Sequence, residues 1–223
     1  MNLADRIYEQ LKFDIITCAL KPGEQVVQKG LAEKYNTGTT PVREALQRLV
    51  HEGFVEAVPR IGYMVTPVTI SDLQEIYELR SVLECAAVRL AAERGSEENL
   101  QEIERSAHFE YQHGNRESYV DFLNHNANFH RNVASASGNQ RLAQSVSKVL
   151  SELNRVFHMG LDLRDSREEM RAEHTALAEA LLAHDPDLAE EIARKQIQRS
   201  QQRVIEALLT SSGISLPQSP SLL

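Results

Sequence analysis

The chain has 223 residues, 42% of them hydrophobic and 25% charged, with a formal net charge of -8. That length buries a sizeable core, and the composition is that of a helix-rich globular protein rather than a disordered or fibrous one. Two cysteines, Cys18 and Cys85, exclude a disulfide framework. The N-terminus "MNLADRIYEQLK" lacks a secretory pattern, and no run approaches the ~20 apolar residues needed to span a bilayer, so a cytoplasmic protein with no membrane partner is expected.

The charge is unevenly divided. Residues 1–66 hold eight Lys/Arg against eight Asp/Glu, whereas residues 67–223 hold sixteen against twenty-four, so the acidic excess lies wholly in the second part.

Ile7, Leu11, Ile15 and Ala19 repeat at helical spacing, and "LKPGEQ" then supplies a Pro-Gly stop. A second short helix runs through "QKGLAEKY", and "NTGTTP" turns the chain into a third. At 100° per residue, Val42, Ala45, Leu46, Leu49 and Val50 of this third helix fall within an arc of about 140°. Thr40, Arg43, Glu44 and Gln47 share the opposite side, so the helix has one core face and one hydrogen-bonding face. "FVEAV" and "GYMVTPV" about "PRIG" predict a small β-hairpin. Three helices and a hairpin over residues 1–66 make a winged helix-turn-helix, whose third helix enters the DNA major groove with its N-terminal residues at base edges. Charge on one face then matters more than the net charge.

"VTPVTIS" contains Pro67 and predicts a stiff linker over 67–71. From 72 to 210 the pattern is helical throughout, with starts marked by "SDLQ" as a capping box, "SEEN", "GN" at 138–139, and "DPD" with Pro186 at a first helical position. Six helices are predicted, at about 71–94, 97–113, 116–136, 139–160, 166–184 and 186–210. The fold class is therefore mainly α: an N-terminal winged helix-turn-helix and a C-terminal all-α six-helix bundle. The Ser/Pro-rich stretch 211–223 predicts a disordered tail.

"LAEKYNTGTTPVREALQRLVHEGFVEAVPRIGYMV" resembles the DNA-binding half of the GntR family of bacterial transcription regulators. "YELRSVLECAAVRLAA", "NANFHRNVASASGN" and "EHTALAEALLAHDPDLAE" are similar to its FadR-type subgroup, whose effector domain (FCD-like) is all-helical. The resemblance implies a homodimer that binds a short palindromic operator in double-stranded DNA and releases or remodels it when a small carboxylate metabolite binds the C-terminal domain. Repression relieved by ligand is the commoner behaviour it implies.

Carried over by residue, the DNA contacts fall on Lys29, Thr39, Thr40, Arg43, Gln47 and Gly62. Arg43 can fork onto guanine O6 and N7, worth about 1–3 kcal/mol of discrimination, Thr40 and the helix N-terminal amides suit phosphate oxygens, and Gly62 lets the wing backbone approach the duplex. The family's Ser-Arg-Thr-Pro is "GTTP" here, with Thr39 in place of arginine, which changes the expected operator rather than the capacity to bind. Arg48 reads instead as a solvated residue paired with Glu44 at i,i+4.

In the effector domain the resemblance places Arg80, Asn126, His130, His174 and Gln196 around one pocket. Arg80 either clamps a carboxylate bidentately or pairs with Glu84 at i+4, and the two are compatible if the ligand displaces Glu84. Related domains hold zinc or nickel with an Asp-x-x-x-His pair and two further histidines. Here Asn126, His130 and His174 are the candidate metal ligands, with Gln196 at the last position, so two of the four donors are weakened to neutral amides. His51, His108, His113, His125, His158 and His184 read as ordinary core or surface histidines.

No phosphate-binding glycine loop or H-E-x-x-H occurs, and Glu110 with His113 is a single Glu-x-x-His where a di-iron bundle needs two. A regulator and not an enzyme is expected. The competing reading is a metal- or metabolite-binding helical protein with a non-functional winged domain, against which stand Arg43 and the intact Pro-Val-Arg-Glu-Ala-Leu core.

Overall fold

A computed structural model of the chain describes residues 2–163 and 165–211. The chain divides between Thr69 and Ile70 into two compact units. The first contains α1 (Leu3–Ile16), β1 (Gln25–Val26), α2 (Gln28–Lys34), α3 (Thr39–His51), β2 (Val55–Val58) and β3 (Gly62–Val65). α1 opens on a capping box: the Asp5 amide donates to Asn2 Oδ1 at 2.8 Å, and the Asn2 amide donates to Asp5 Oδ2 at 3.2 Å. Ile7, Leu11 and Ile15 of α1 are buried with Val42, Ala45, Leu46 and Leu49 of α3 in one apolar core. The apolar arc of α3 is thus spent inward, and its polar arc is left to solvent.

The hairpin pairs β2 with β3 antiparallel, Val55 opposite Val65 and Val58 opposite Gly62. β1 adds to the other edge of β3, with Gln25 opposite Met64, giving the order β1-β3-β2. The sequence pattern does not predict β1, because a two-residue strand is too short to show alternation.

The second unit contains α4 (Ile70–Arg94), α5 (Glu97–Arg105), α6 (Arg116–Ala136), α7 (Gln140–Leu163), α8 (Arg167–Leu182) and α9 (Pro186–Ser211). Three predicted starts carry their caps. Ser96 accepts from the Asn99 amide at 3.3 Å, Asn139 from the Leu142 amide at 3.2 Å, and Asp185 from the Leu188 amide at 3.0 Å. Two expectations differ. α4 begins at Ile70, so "SDLQ" lies inside its first turn rather than capping it, and Ile70 and Ser71 of the expected linker are helical. α5 stops at Arg105, not at 113. Its C-cap Ser106 turns its hydroxyl onto the Ile103 carbonyl at 2.8 Å. Beyond it Phe109 and Tyr111 leave helical register to pack on Phe122, with ring centroids at 5.2 and 4.5 Å. Burial of two aromatic rings outweighs continuation of a short helix. Of the tail predicted over 211–223, Ser211 is instead the last residue of α9, and 212–223 lie outside the described residues.

The α4–α5 corner depends on Gly95. A Cβ there would lie 2.6 Å from the Ala91 carbonyl oxygen and 2.7 Å from Leu100 Cδ2, where Leu100 is wholly buried. We expect Gly95→Ala to cost about 1–3 kcal/mol through overpacking against backbone. Urea unfolding followed by circular dichroism measures this, and an unchanged midpoint would show that the corner relaxes freely.

Candidate functional site

The first candidate surface is the solvent face of α3 with its neighbours. Thr39, Thr40, Arg43 and Gln47 are all exposed on α3, and Lys29 is exposed on α2. Arg43 and Lys29 form no hydrogen bond or ion pair among the described residues. The N-cap of α3 is Gly38, which offers no side-chain oxygen, so the first-turn amides keep their capacity to bind an anion.

Arg48 behaves differently. Its Nη1 donates to Asp5 Oδ1 at 3.0 Å and its guanidinium stacks 3.7 Å from the centroid of the Tyr8 ring. The expected partner Glu44 is replaced by Asp5 of α1, because the stack onto Tyr8 aims Arg48 back at the first helix. At the wing, Gly62 has φ +114°, a conformation that glycine adopts without the steric cost of a Cβ. Arg60 in the same turn is exposed, with φ +66°, and makes no ion pair among the described residues. The sequence pattern did not single it out, although a lone cation within "PRIG" between two strands was its signal.

The second candidate is a cavity of about 280 Å³ inside the helical unit. α4 contributes Arg80, α6 contributes Leu123, Asn126 and His130, and α9 contributes Gln196, Ser200 and Arg203. Phe157 and Leu161 of α7 and Met170 of α8 supply apolar wall. The helical repeat explains the convergence: 123, 126 and 130 share one face of α6, and 196, 200 and 203 share one face of α9.

A polar chain lies behind the wall. Arg80, 2% exposed, donates from Nε to Glu84 Oε1 at 2.6 Å and from Nη1 to Ser200 Oγ at 3.2 Å. Glu84 Oε2 lies 2.8 Å from His130 Nδ1. Burial pushes the Glu84 carboxyl up, but Arg80 and His130 outweigh it and hold the group at about 2. As a carboxylate it only accepts, so Nδ1 of His130 carries the hydrogen. His130 Nε2 then faces His174 Nε2 at 3.4 Å.

His174 is fully buried and is not among the residues lining the cavity, contrary to expectation. It stands one layer behind His130, its ring centroid 5.0 Å from that of Phe109 and 4.6 Å from that of Phe129. Its Nδ1 has no hydrogen-bond partner. Desolvation, and then His130 and Arg80, hold its pKa well below the usual imidazole value, so it is neutral.

Of the two readings of Arg80, the ion pair with Glu84 is present and Arg80 also reaches the cavity. The sequence pattern missed Arg203, which lines the cavity while its Nη2 donates to Glu173 Oε2 at 3.2 Å. Its spacing of seven from Gln196 was the available signal.

The donors fit a firmly held zinc or nickel poorly. Among the described residues no three His, Cys, Asp or Glu side chains converge as a metal site. Asn126 and Gln196 offer neutral amides, and the neighbouring carboxylate, Glu84, is occupied by Arg80 and His130.

Comparison with known proteins agrees with this architecture. The family model described as bacterial regulatory proteins, gntR family, matches residues 3–65, and the FCD domain model matches residues 75–199. The HTH-type transcriptional repressor RspR of Escherichia coli is 25% identical over 199 residues, covering 89% of this chain and 87% of that protein. The repressor GlaR of Escherichia coli is 29% identical over 85% of this chain and 90% of its own length. Among solved structures, Escherichia coli McbR/YncC superposes with a TM-score of 0.69 over 93% of this chain and 99% of its own, at 24% identity, which speaks for the fold alone.

His174 and Glu84 both bind protons less readily in the folded chain than in the unfolded one, so acid destabilises through each. For His174 the loss starts as pH falls through about 6.5, and for Glu84 it runs from about 4.5 towards 2. Unfolding free energy should therefore fall below pH 6.5, with His174 contributing up to about 1.4 kcal/mol per pH unit. Urea titrations from pH 7 to 5 should show a shallower slope in His174→Phe, and equal slopes would place the acid sensitivity elsewhere.

Proposed function

The chain belongs to the GntR family of bacterial transcription regulators, in the branch with an FCD domain, and from that premise we propose that it is a repressor that binds a palindromic operator as a homodimer and releases it on binding a small carboxylate. The observation that carries the DNA half is the contrast between two arginines of one helix. Arg48 is consumed by Asp5 and Tyr8, whereas Arg43 stands exposed with no intramolecular partner, beside Thr39, Thr40, Gln47 and Lys29. An exposed, unpaired guanidinium on the helix whose N-terminal amides are uncapped is what contact with base edges and phosphates needs. Arg43 is assigned to a base edge, Thr39 and Thr40 to phosphate or to a thymine methyl group, and Gly62 with Arg60 to the backbone beside the wing. Such a protein works in the cytoplasm, where the DNA is, and its relatives are named as transcription regulators rather than enzymes.

The effector half rests on the 280 Å³ cavity with a buried guanidinium at its wall. A carboxylate entering there competes with Glu84 for Arg80, and through Glu84 it reaches His130 and α6. Ligand and operator then weaken each other by one coupling free energy, typically about 1–3 kcal/mol. The dimer is supported by α4, where Leu79 and Val82 are 50% and 70% exposed, three residues apart on one face. Apolar side chains that open to water on a core helix suit a second copy.

Selection of bound fragments from genomic DNA, at two salt concentrations, should return a recurring palindrome. Arg43→Ala should then lower operator affinity by about 1–3 kcal/mol. Arg80→Met combined with Glu84→Gln, which removes both charges of the buried pair, should keep operator binding and lose release by acid. Sequence-blind binding would overturn the operator, and unaltered release would remove Arg80 from the effector site. Separately, Val82→Glu should shift the protein to monomer in sedimentation and weaken operator binding. A dimer of unchanged strength would move the interface off this face of α4.

A further inference from the structure

The cavity contains two amides that the fold does not use. Asn126 is 4% exposed and Gln196 is 5% exposed, both line the cavity, and neither has a hydrogen-bond partner among the described residues. Both amides face the cavity, on α6 and α9, so their donors and acceptors are open to a partner from outside the chain. The charges nearby narrow what it is. Arg80 is balanced by Glu84 at 2.6 Å and Arg203 by Glu173 at 3.2 Å, so the wall has no surplus cation for a second anionic group. Amides offer both a donor and an acceptor, which matches hydroxyls rather than further carboxylates or apolar carbon. The volume, about 280 Å³, lies at the lower limit of small-molecule sites and suits a compact metabolite.

We infer that the effector is a small hydroxylated monocarboxylate, with its carboxylate at Arg80 and its hydroxyls read by the amides of Asn126 and Gln196, which act as specificity-determining residues. This rests on the cavity being the effector site. Either amide can rotate to give or accept, so a vicinal hydroxyl pair is satisfied on both sides without any change of protonation. A deoxy acid of equal length leaves both amides desolvated and unpaired, and it is that penalty which discriminates.

The test uses the full-length protein, dialysed against chelator, and calorimetric titration with aldonates and shorter hydroxy acids, each beside its deoxy counterpart, for example gluconate beside hexanoate. At least one hydroxylated acid should bind about 10- to 100-fold more tightly than its deoxy partner. Asn126→Leu and Gln196→Met should each reduce that ratio several-fold while leaving the affinity of the deoxy acid in place, which also reports that the fold is kept. If either variant fails to fold, Asn126→Ser or Gln196→Ala replaces it with the same readout. Deoxy acids that bind as tightly as hydroxylated ones would overturn the inference and leave the carboxylate reading standing. A ratio that survives both substitutions, or binding that appears only after zinc or nickel is restored, would also overturn it. If no acid of the panel binds, the effector reading fails and the inference with it.

Discussion

A buried carboxylate organises the helical unit. Glu84 sits 5% exposed on α4 between the guanidinium of Arg80 and the imidazole of His130. An isolated charge at such a position is prohibitively costly, so its partners are obligatory rather than optional. Through them α4 is tied to α6 by His130, to α8 by His174 behind it, and to α9 by Ser200 on Arg80. Removal of one partner strands the others, whereas removal of a charged pair together need not. The cavity lies on one side of this chain and the aromatic packing of Phe109 and Phe129 on the other. A ligand that touches Arg80 therefore perturbs contacts shared by four helices, which is the kind of differential contact that a switch needs.

Electrostatics divide the work between the units. The acidic excess belongs to the helical part, where arginines such as Arg89, Arg167 and Arg203 are matched by neighbouring carboxylates. In the winged unit three of the eight cations are also spent internally, Lys12 on Glu52, Lys34 on Asp14 and Arg48 on Asp5. Of the five others, Arg43, Lys29 and Arg60 lie on α3, on α2 and in the wing turn, and Arg6 and Lys21 lie elsewhere in the unit. The net charge of -8 hides this, because DNA responds to the local arrangement of unpaired cations and not to their sum.

The cavity shows the same economy with hydrogen bonds. Ser200, Arg80, Glu84 and His130 satisfy one another, whereas Asn126 and Gln196 do not. Where related domains are expected to carry an acid and an imidazole, this chain carries two amides. The change removes charge without removing polarity, so the site becomes one that pairs with neutral groups.

By itself the sequence determined the periodic elements: six helices after residue 70, the inward arc of α3, and the hairpin about "PRIG". These follow from spacing alone, because a helix repeat or an alternation is a local property of adjacent residues. Caps at Ser96, Asn139 and Asp185 were legible for the same reason. Tertiary structure alone decided the rest. β1 exists because β3 offers an edge, and α5 ends early because Phe109 and Tyr111 find Phe122. Arg48 turns to α1 because Tyr8 lies there, and His174 is withdrawn from the cavity because two phenylalanine rings enclose it. Partners 30 and 44 residues apart in the chain, such as Arg203 with Glu173 and His130 with His174, leave no periodic trace, so whether a charged or polar side chain is spent or free is settled only when the helices meet.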